Sequence, residues 1–136
     1  MHRIIFFTLF FTPFISQISF SSTPDLKKQY NEFQKTYSKT LDLSKDKSMF
    51  VKNFDSNSKS LKKKYDVFSK SEKTEISLEG NQMALDIEML EPLEFLASSR
   101  MDKESCSEAD LLNEMNSTSD VKTYQKIKDL IQTLCK

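Results

Sequence analysis

The stretch MFVKNFDSNSKSLKKKY, Met49 to Tyr65, sets Phe50, Phe54, Leu61 and Tyr65 where successive turns of a helix would face the same way. Carried on to Phe68 and with Asn57 included, the stripe advances by four, three, four, four and three residues. That mean lies near the 3.6-residue helical repeat, so the stripe stays on one side of a straight helix, predicted over about 45–68. Asn57 is the anomaly. A buried amide without partners would cost about 1 to 3 kcal/mol, so Asn57 is either hydrogen-bonded inside the fold or wetted at the edge of the stripe. Lys62, Lys63 and Lys64 fall on the flanks and back, as a solvated face would. A phosphate or heparin patch is the sharper alternative.

Upstream, Thr23-Pro24-Asp25 reads as a helix start: a hydroxyl cap, Pro at the first helical position, and an acid near the positive end of the helix dipole. Leu26, Tyr30, Phe33 and Tyr37 then follow on one face, predicting a helix that stops near 39–41. Ser44 followed by Asp46 supplies the cap of the next helix. Downstream, Thr74-Glu75-Ile76-Ser77-Leu78 alternates polar and apolar residues, which suits a short strand, and the chain's single glycine comes next. Gly80-Asn81 therefore reads as a tight turn needing a permissive backbone. Pro92 splits the acidic-apolar segment 86–96, leaving a short helix expected around Leu93 to Leu96.

Beyond Ala97 the segment SSRMDKESCS, residues 98–107, is polar and expected to be extended. Ser107 with Asp110 resembles a capping box ahead of Leu111, Leu112 and Met115, and Asp120 caps a final helix with Val121, Tyr124, Ile127, Leu130, Ile131 and Leu134 on one side. Cys106 and Cys135 are the only cysteines. In an exported chain they read as one disulfide tying this helical hairpin, with a free reactive thiol as the alternative. Asn116-Ser117-Thr118 between them is a glycosylation sequon, usable in a eukaryotic host.

Export is suggested by the opening MHRIIFFTLFFTPFISQISFSS, a basic residue followed by an aromatic-rich apolar run and small residues around Ser19 and Ser21. We read 1–21 as a removable signal peptide. A membrane anchor is the alternative, disfavoured by Pro13 and by a short run. The signal holds six of the eleven Phe residues, so the remaining chain is polar and has a modest core. Lysine and arginine balance aspartate and glutamate at 20 each, which gives no reason to expect nucleic acid as a partner. The only histidine is His2. Beyond the signal there is thus no imidazole for base catalysis or zinc, and no Gly-rich phosphate loop; the reading is non-enzymatic, with no cofactor and no metal.

The order of these features resembles the inhibitory propeptide of papain-like cysteine proteases of the cathepsin L type, a family that includes free-standing inhibitors. Tyr30, Phe33, Tyr37, Lys39 and Leu41 fill the aromatic-rich places of that family's first helix. Asp46, Phe50, Phe54, Asn57, Leu61 and Tyr65 fall on its interrupted ERFNIN motif, with Phe50 where Arg is usual and Tyr65 where Asn is usual. Ile76 to Asp86 follows the outline of its strand and G-x-N-x-F-x-D motif, with Glu79 for Gly, Met83 for Phe, and the Asp one residue late.

The resemblance implies a mainly α fold: two long crossing helices, a short strand and a short helix over 22–102, followed by the cysteine-bracketed hairpin over 103–136. It also implies inhibition by occlusion. Ile76, Leu78, Asn81 and Met83 would dock on the protease, and Ala97, Ser98, Ser99, Arg100 and Met101 would lie in its cleft, where extended main-chain pairing supplies affinity. The expected partner is a papain-like cysteine protease, and the expected location is extracellular or a lysosomal or vacuolar lumen, with no membrane attachment after signal removal. Two other readings remain open: a small secreted helical binding protein without protease inhibition, and an inactive zymogen relic.

Overall fold

The computed structural model of the 136-residue chain describes residues 24–42, 46–72 and 77–136, and among these the chain is helical, with no strand. The expected signal peptide, Thr23, the Ser44 cap and residues 74–76 of the expected strand lie outside the described residues.

Helix α1 spans Pro24–Leu41, with Asp25 in its first turn and Pro24 as its first residue. Its apolar face is the predicted one: Leu26, Phe33, Tyr37 and Leu41 are buried, and Tyr30 packs against them. Helix α2 spans Lys47–Ser71, a turn longer than its stripe. Its cap is Asp46, whose carboxylate accepts from the Met49 amide at 3.0 Å. Phe50, Phe54, Leu61 and Phe68 are fully buried, and each contributes roughly 1.5 to 3 kcal/mol of burial free energy.

The middle turn of α2 differs from the simplest reading of the stripe. Asn57 is half-buried, and it is Ser58 that lies in the core. At the helical angle per residue these two positions lie on opposite edges of the face defined by Phe54 and Leu61. Only the neighbouring helices determine which edge is covered, and they cover that of Ser58.

Where a strand and turn were expected, helix α3 forms over Leu78–Met89. Ser77 Oγ accepts from the Gly80 amide at 3.0 Å, and the Glu72 carboxylate accepts from both the amide and the hydroxyl of Ser77. The correction has a local cause: Ser77 caps the helix and Glu79 stands in its first turn, so Leu78, read as the end of the strand, is helical. Leu78 is accordingly the first helical residue and is 85% exposed. Gly80 is buried in the first turn and has negative φ, so it answers no need for a left-handed backbone.

Helix α4, Glu91–Ala97, matches the expected short helix, with Pro92 in its first turn and Pro92, Leu93 and Leu96 buried. Helix α5 spans Lys103–Glu114, so the segment expected to be extended is helical from residue 103. Its cap is Asp102, whose carboxylate accepts from the Ser105 amide at 2.8 Å, in place of the expected Ser107 box. Its inward face is also corrected. Ala109 and Asn113 are buried with Cys106 partly so, whereas Leu111 is 61% and Met115 79% exposed. Cys106, Ala109 and Asn113 are spaced three and four apart, so turning Cys106 toward its partner turns the leucine out.

Helix α6, Val121–Leu134, starts at the predicted Asp120 cap and buries Ile127, Leu130, Ile131 and Leu134, while Val121 is exposed. Cys106 and Cys135 form a disulfide, with Cα atoms 6.1 Å apart. The most extensive packing is between α1 and α2 and between α4 and α5; α3 sits on α2 and α1, and α6 reaches α5, α4 and α1. One core cluster runs from Leu26 to Leu134.

Candidate functional site

Three regions of the described residues carry polar chemistry, the last of them on the hairpin. The first is a junction of α1, α3 and α6. Asp86 is 2% exposed, and its two carboxylate oxygens accept from Gln34 Nε2 and Gln82 Nε2, both at 2.8 Å. Burial pushes the Asp86 carboxyl up; the two amide hydrogen bonds hold it back, and the charge of Asp120 adds to the rise. Burial likewise lifts the Tyr37 phenol far above its ordinary range, with Asp86 and Asp120 adding to the shift and the nearby Thr123 side chain opposing it; among the described residues the buried Tyr37 hydroxyl has no partner at hydrogen-bond geometry. Tyr30 is raised by burial and by Asp86 and Glu79. The junction holds a carboxylate flanked by amides and phenols. What it does is orient α3 on α1.

The second region is the outer face of α1 and α2. A shallow cleft of about 410 Å³ is lined by Gln29, Glu32, Ser60, Lys63, Lys64 and Val67. Glu32 also borders a second depression along α1, with Lys27, Lys28, Asn31 and Lys35. Lys59 and Lys70 are paired within α2 to Asp55 and Asp66, each at 3.0 Å, and Lys62 reaches Glu94 on α4 at 2.7 Å. Among the described residues, no carboxylate comes within ion-pair distance of Lys27, Lys28, Lys35, Lys63 or Lys64. These five cations are solvated and available to a partner.

Their clustering reflects a separation that the balanced total conceals. Residues 24–71 hold twelve lysines against six acids, and residues 77–136 hold six basic residues against twelve acids. Counting charge by halves would have found this in the sequence; counting it once for the whole chain did not.

The residues that the resemblance assigns to the scaffold, to docking and to occlusion differ in environment, and those of the scaffold motif come first. Phe33, Tyr37, Phe50, Phe54 and Leu61 are core, Tyr30, Asn57 and Tyr65 are half-buried, and Asp46 is a helix cap. Ile76 lies outside the described residues. On α3, Leu78 and Asn81 are exposed but Met83 is fully buried. Ala97 ends α4, and Ser98 to Arg100 make a short turn in which Ser99 Oγ donates to Leu96 O at 2.7 Å and accepts from the Met101 amide at 3.1 Å. Met101 follows with φ of 55° and its side chain buried. A non-glycine residue is held in the left-handed region when burial of its side chain outweighs the backbone cost.

On the hairpin, Tyr124 Oη donates to Glu114 Oε1 at 2.5 Å, and Lys128 Nζ lies 3.4 Å from the same oxygen and 5.6 Å from the Tyr124 ring centre. These contacts hold the Glu114 carboxyl below the usual range, the Tyr124 hydrogen bond most of all. Inside the hairpin, Asn113 Nδ2 donates to the Tyr124 carbonyl at 3.2 Å. Among the described residues, no group of three or more His, Cys, Asp or Glu side chains could hold a metal ion, and no helix is long and apolar enough to cross a membrane. No protein-family model matches the chain, and comparison with curated proteins and with solved structures finds no match.

Proposed function

We propose that this chain is a small exported helical binding protein that works by surface complementarity, without catalysis or cofactor. Its binding surface is the lysine-rich outer face of α1 and α2, and its partner is an acidic protein surface. The observation that carries this reading is the segregation of charge. Five lysines without carboxylate partners border two adjoining depressions on the basic half of the chain, while the acids gather on the other half. Unpaired cations on a preformed rigid surface speed encounter with an acidic partner and select against basic ones. The disulfide supports the exported reading, since such bonds persist in oxidising compartments.

Inhibition of a cathepsin L-type cysteine protease is a second reading. It is favoured by the extensive packing of α1 against α2 and by the burial of Phe33, Tyr37, Phe50, Phe54 and Leu61 at the places the resemblance assigns to aromatic and apolar packing. Weighing against it, Met83 faces the core and Ala97 to Met101 fold as a helix end and turn, so an occluding segment would first have to be released. Titration of the purified chain against such a protease separates the two. Inhibition at micromolar concentration, lost when Ala97 to Met101 are replaced, establishes the second reading; full protease activity throughout leaves the first.

A further inference from the structure

The binding reading leaves one sequence feature unused, the sequon Asn116-Ser117-Thr118. We propose that Asn116 is an acceptor for an N-linked glycan, carried at the turn end of the disulfide-tied hairpin. The proposal rests on the exported reading above.

Three observations converge on this position. The chain has six asparagines, and Asn116 alone is followed two residues later by a hydroxyl residue; the other five lie inside helices α1, α2, α3 and α5. Asn116 lies in the turn that joins α5 to α6. Its amide donates to the Asn113 carbonyl at 2.9 Å and its carbonyl accepts from the Ser119 amide at 3.1 Å. The backbone is thus fixed by its own hydrogen bonds, while the side-chain amide is not fully buried and Thr118 is exposed. Asn116 lies outside the core cluster, so a bulky polar group on its Nδ2 is added at the surface of the fold.

The surroundings gain from such a group. Leu111, Met115 and Val121 are large apolar residues left exposed on the last turn of α5, at its end and on the first residue of α6, and they flank this turn. A hydrated oligosaccharide there screens them from self-association. The disulfide closes the opposite end of the hairpin, roughly 15 Å away along α5. Such a bond is the one expected in the oxidising compartment where eukaryotic cells carry out this transfer.

The reaction consumes an oligosaccharide carried on a polyprenyl diphosphate. A bond forms between Asn116 Nδ2 and the anomeric carbon, the bond from that carbon to the diphosphate oxygen breaks, the lipid diphosphate departs with the electron pair, and the amide nitrogen loses one proton.

The test is expression of the full chain in a eukaryotic secretory cell, beside a version in which residues 1–21 are replaced by a signal of proven export. The expected product in the medium carries one glycan, localised to Asn116 by mass spectrometry and removed by an amide-cleaving endoglycosidase. Asn116→Gln and Thr118→Ala should each lack it while keeping the disulfide and the helical spectrum. Glycosylation only with the proven signal upholds the site and overturns the exported reading. Chain found in the medium, disulfide-bonded and without glycan from both versions, overturns the site.

Discussion

Gln34 on α1 and Asp86 on α3 are joined by a 2.8 Å hydrogen bond, amide nitrogen to carboxylate oxygen, across 52 residues of chain. Gln82 completes the carboxylate's shell from its own helix, one turn earlier. The carboxylate is therefore hydrogen-bonded, and among the described residues no cation lies within ion-pair distance of it; burial raises its pKa.

The sign of the resulting pH dependence follows from linkage. With the folded pKa above the unfolded value, the native state binds more protons than the unfolded state between those two values. Asp86 therefore costs stability at neutral pH, and that cost is relieved as the pH falls through the folded pKa toward the unfolded one. Asp102 and Glu114 are depressed and act in the opposite sense, so the comparison must be with a variant. Asp86→Asn should be more stable than the parent at pH 7, with the gap closing on acidification. Urea unfolding at a series of pH values checks this; a constant gap would contradict it.

The disulfide spans 29 positions, and closing a loop of that size removes unfolded-state entropy worth about 3 to 4 kcal/mol. Replacing both Cys106 and Cys135 by Ser should lower the unfolding free energy from urea titration by that amount while leaving the helical spectrum intact.

On α2, Ser58 and Asn57 should respond oppositely to enlargement. Ser58→Leu forces a large side chain into a covered site and should cost about 1 to 3 kcal/mol. Asn57→Leu, at a half-buried edge, should stay within about 0.5 kcal/mol of the parent. Thermal unfolding of the two variants measures the difference.

A parallel pair tests the rotation of α5. Leu111→Ala should be close to neutral, because Leu111 faces solvent, whereas Ala109→Leu should destabilise by about 1 to 3 kcal/mol. The reverse ranking would restore the face expected from the leucines alone.

These contrasts show what can be read from the chain and what cannot. Helices α1, α2 and α6 were legible because their apolar residues keep the helical period over several turns and because Asp46 and Asp120 cap where a cap was needed. Helix α3 was misread because five alternating residues and a glycine suggest a strand and turn, while the competing signal, Ser77 capping toward Gly80, is a single hydrogen bond. The rotation of α5 was not local information at all. It depends on Cys106 facing Cys135, a constraint set 29 residues away. The basic face was present in the sequence but hidden by a net charge of zero. Which edge of the α2 stripe would be covered, that of Asn57 or of Ser58, depended on the approach of other helices and could not be read from α2.

The central claim is that the lysine face of α1 and α2 binds an acidic partner, and the most direct measurement uses poly-L-glutamate as a defined acidic polypeptide. Binding by the purified chain should weaken steeply with salt, and Lys63→Glu with Lys64→Glu should weaken it at least tenfold without changing the helical spectrum or the unfolding free energy by more than about 0.5 kcal/mol. Equal binding by the parent and the charge-reversed variant, or no binding by either at low salt, would contradict the account.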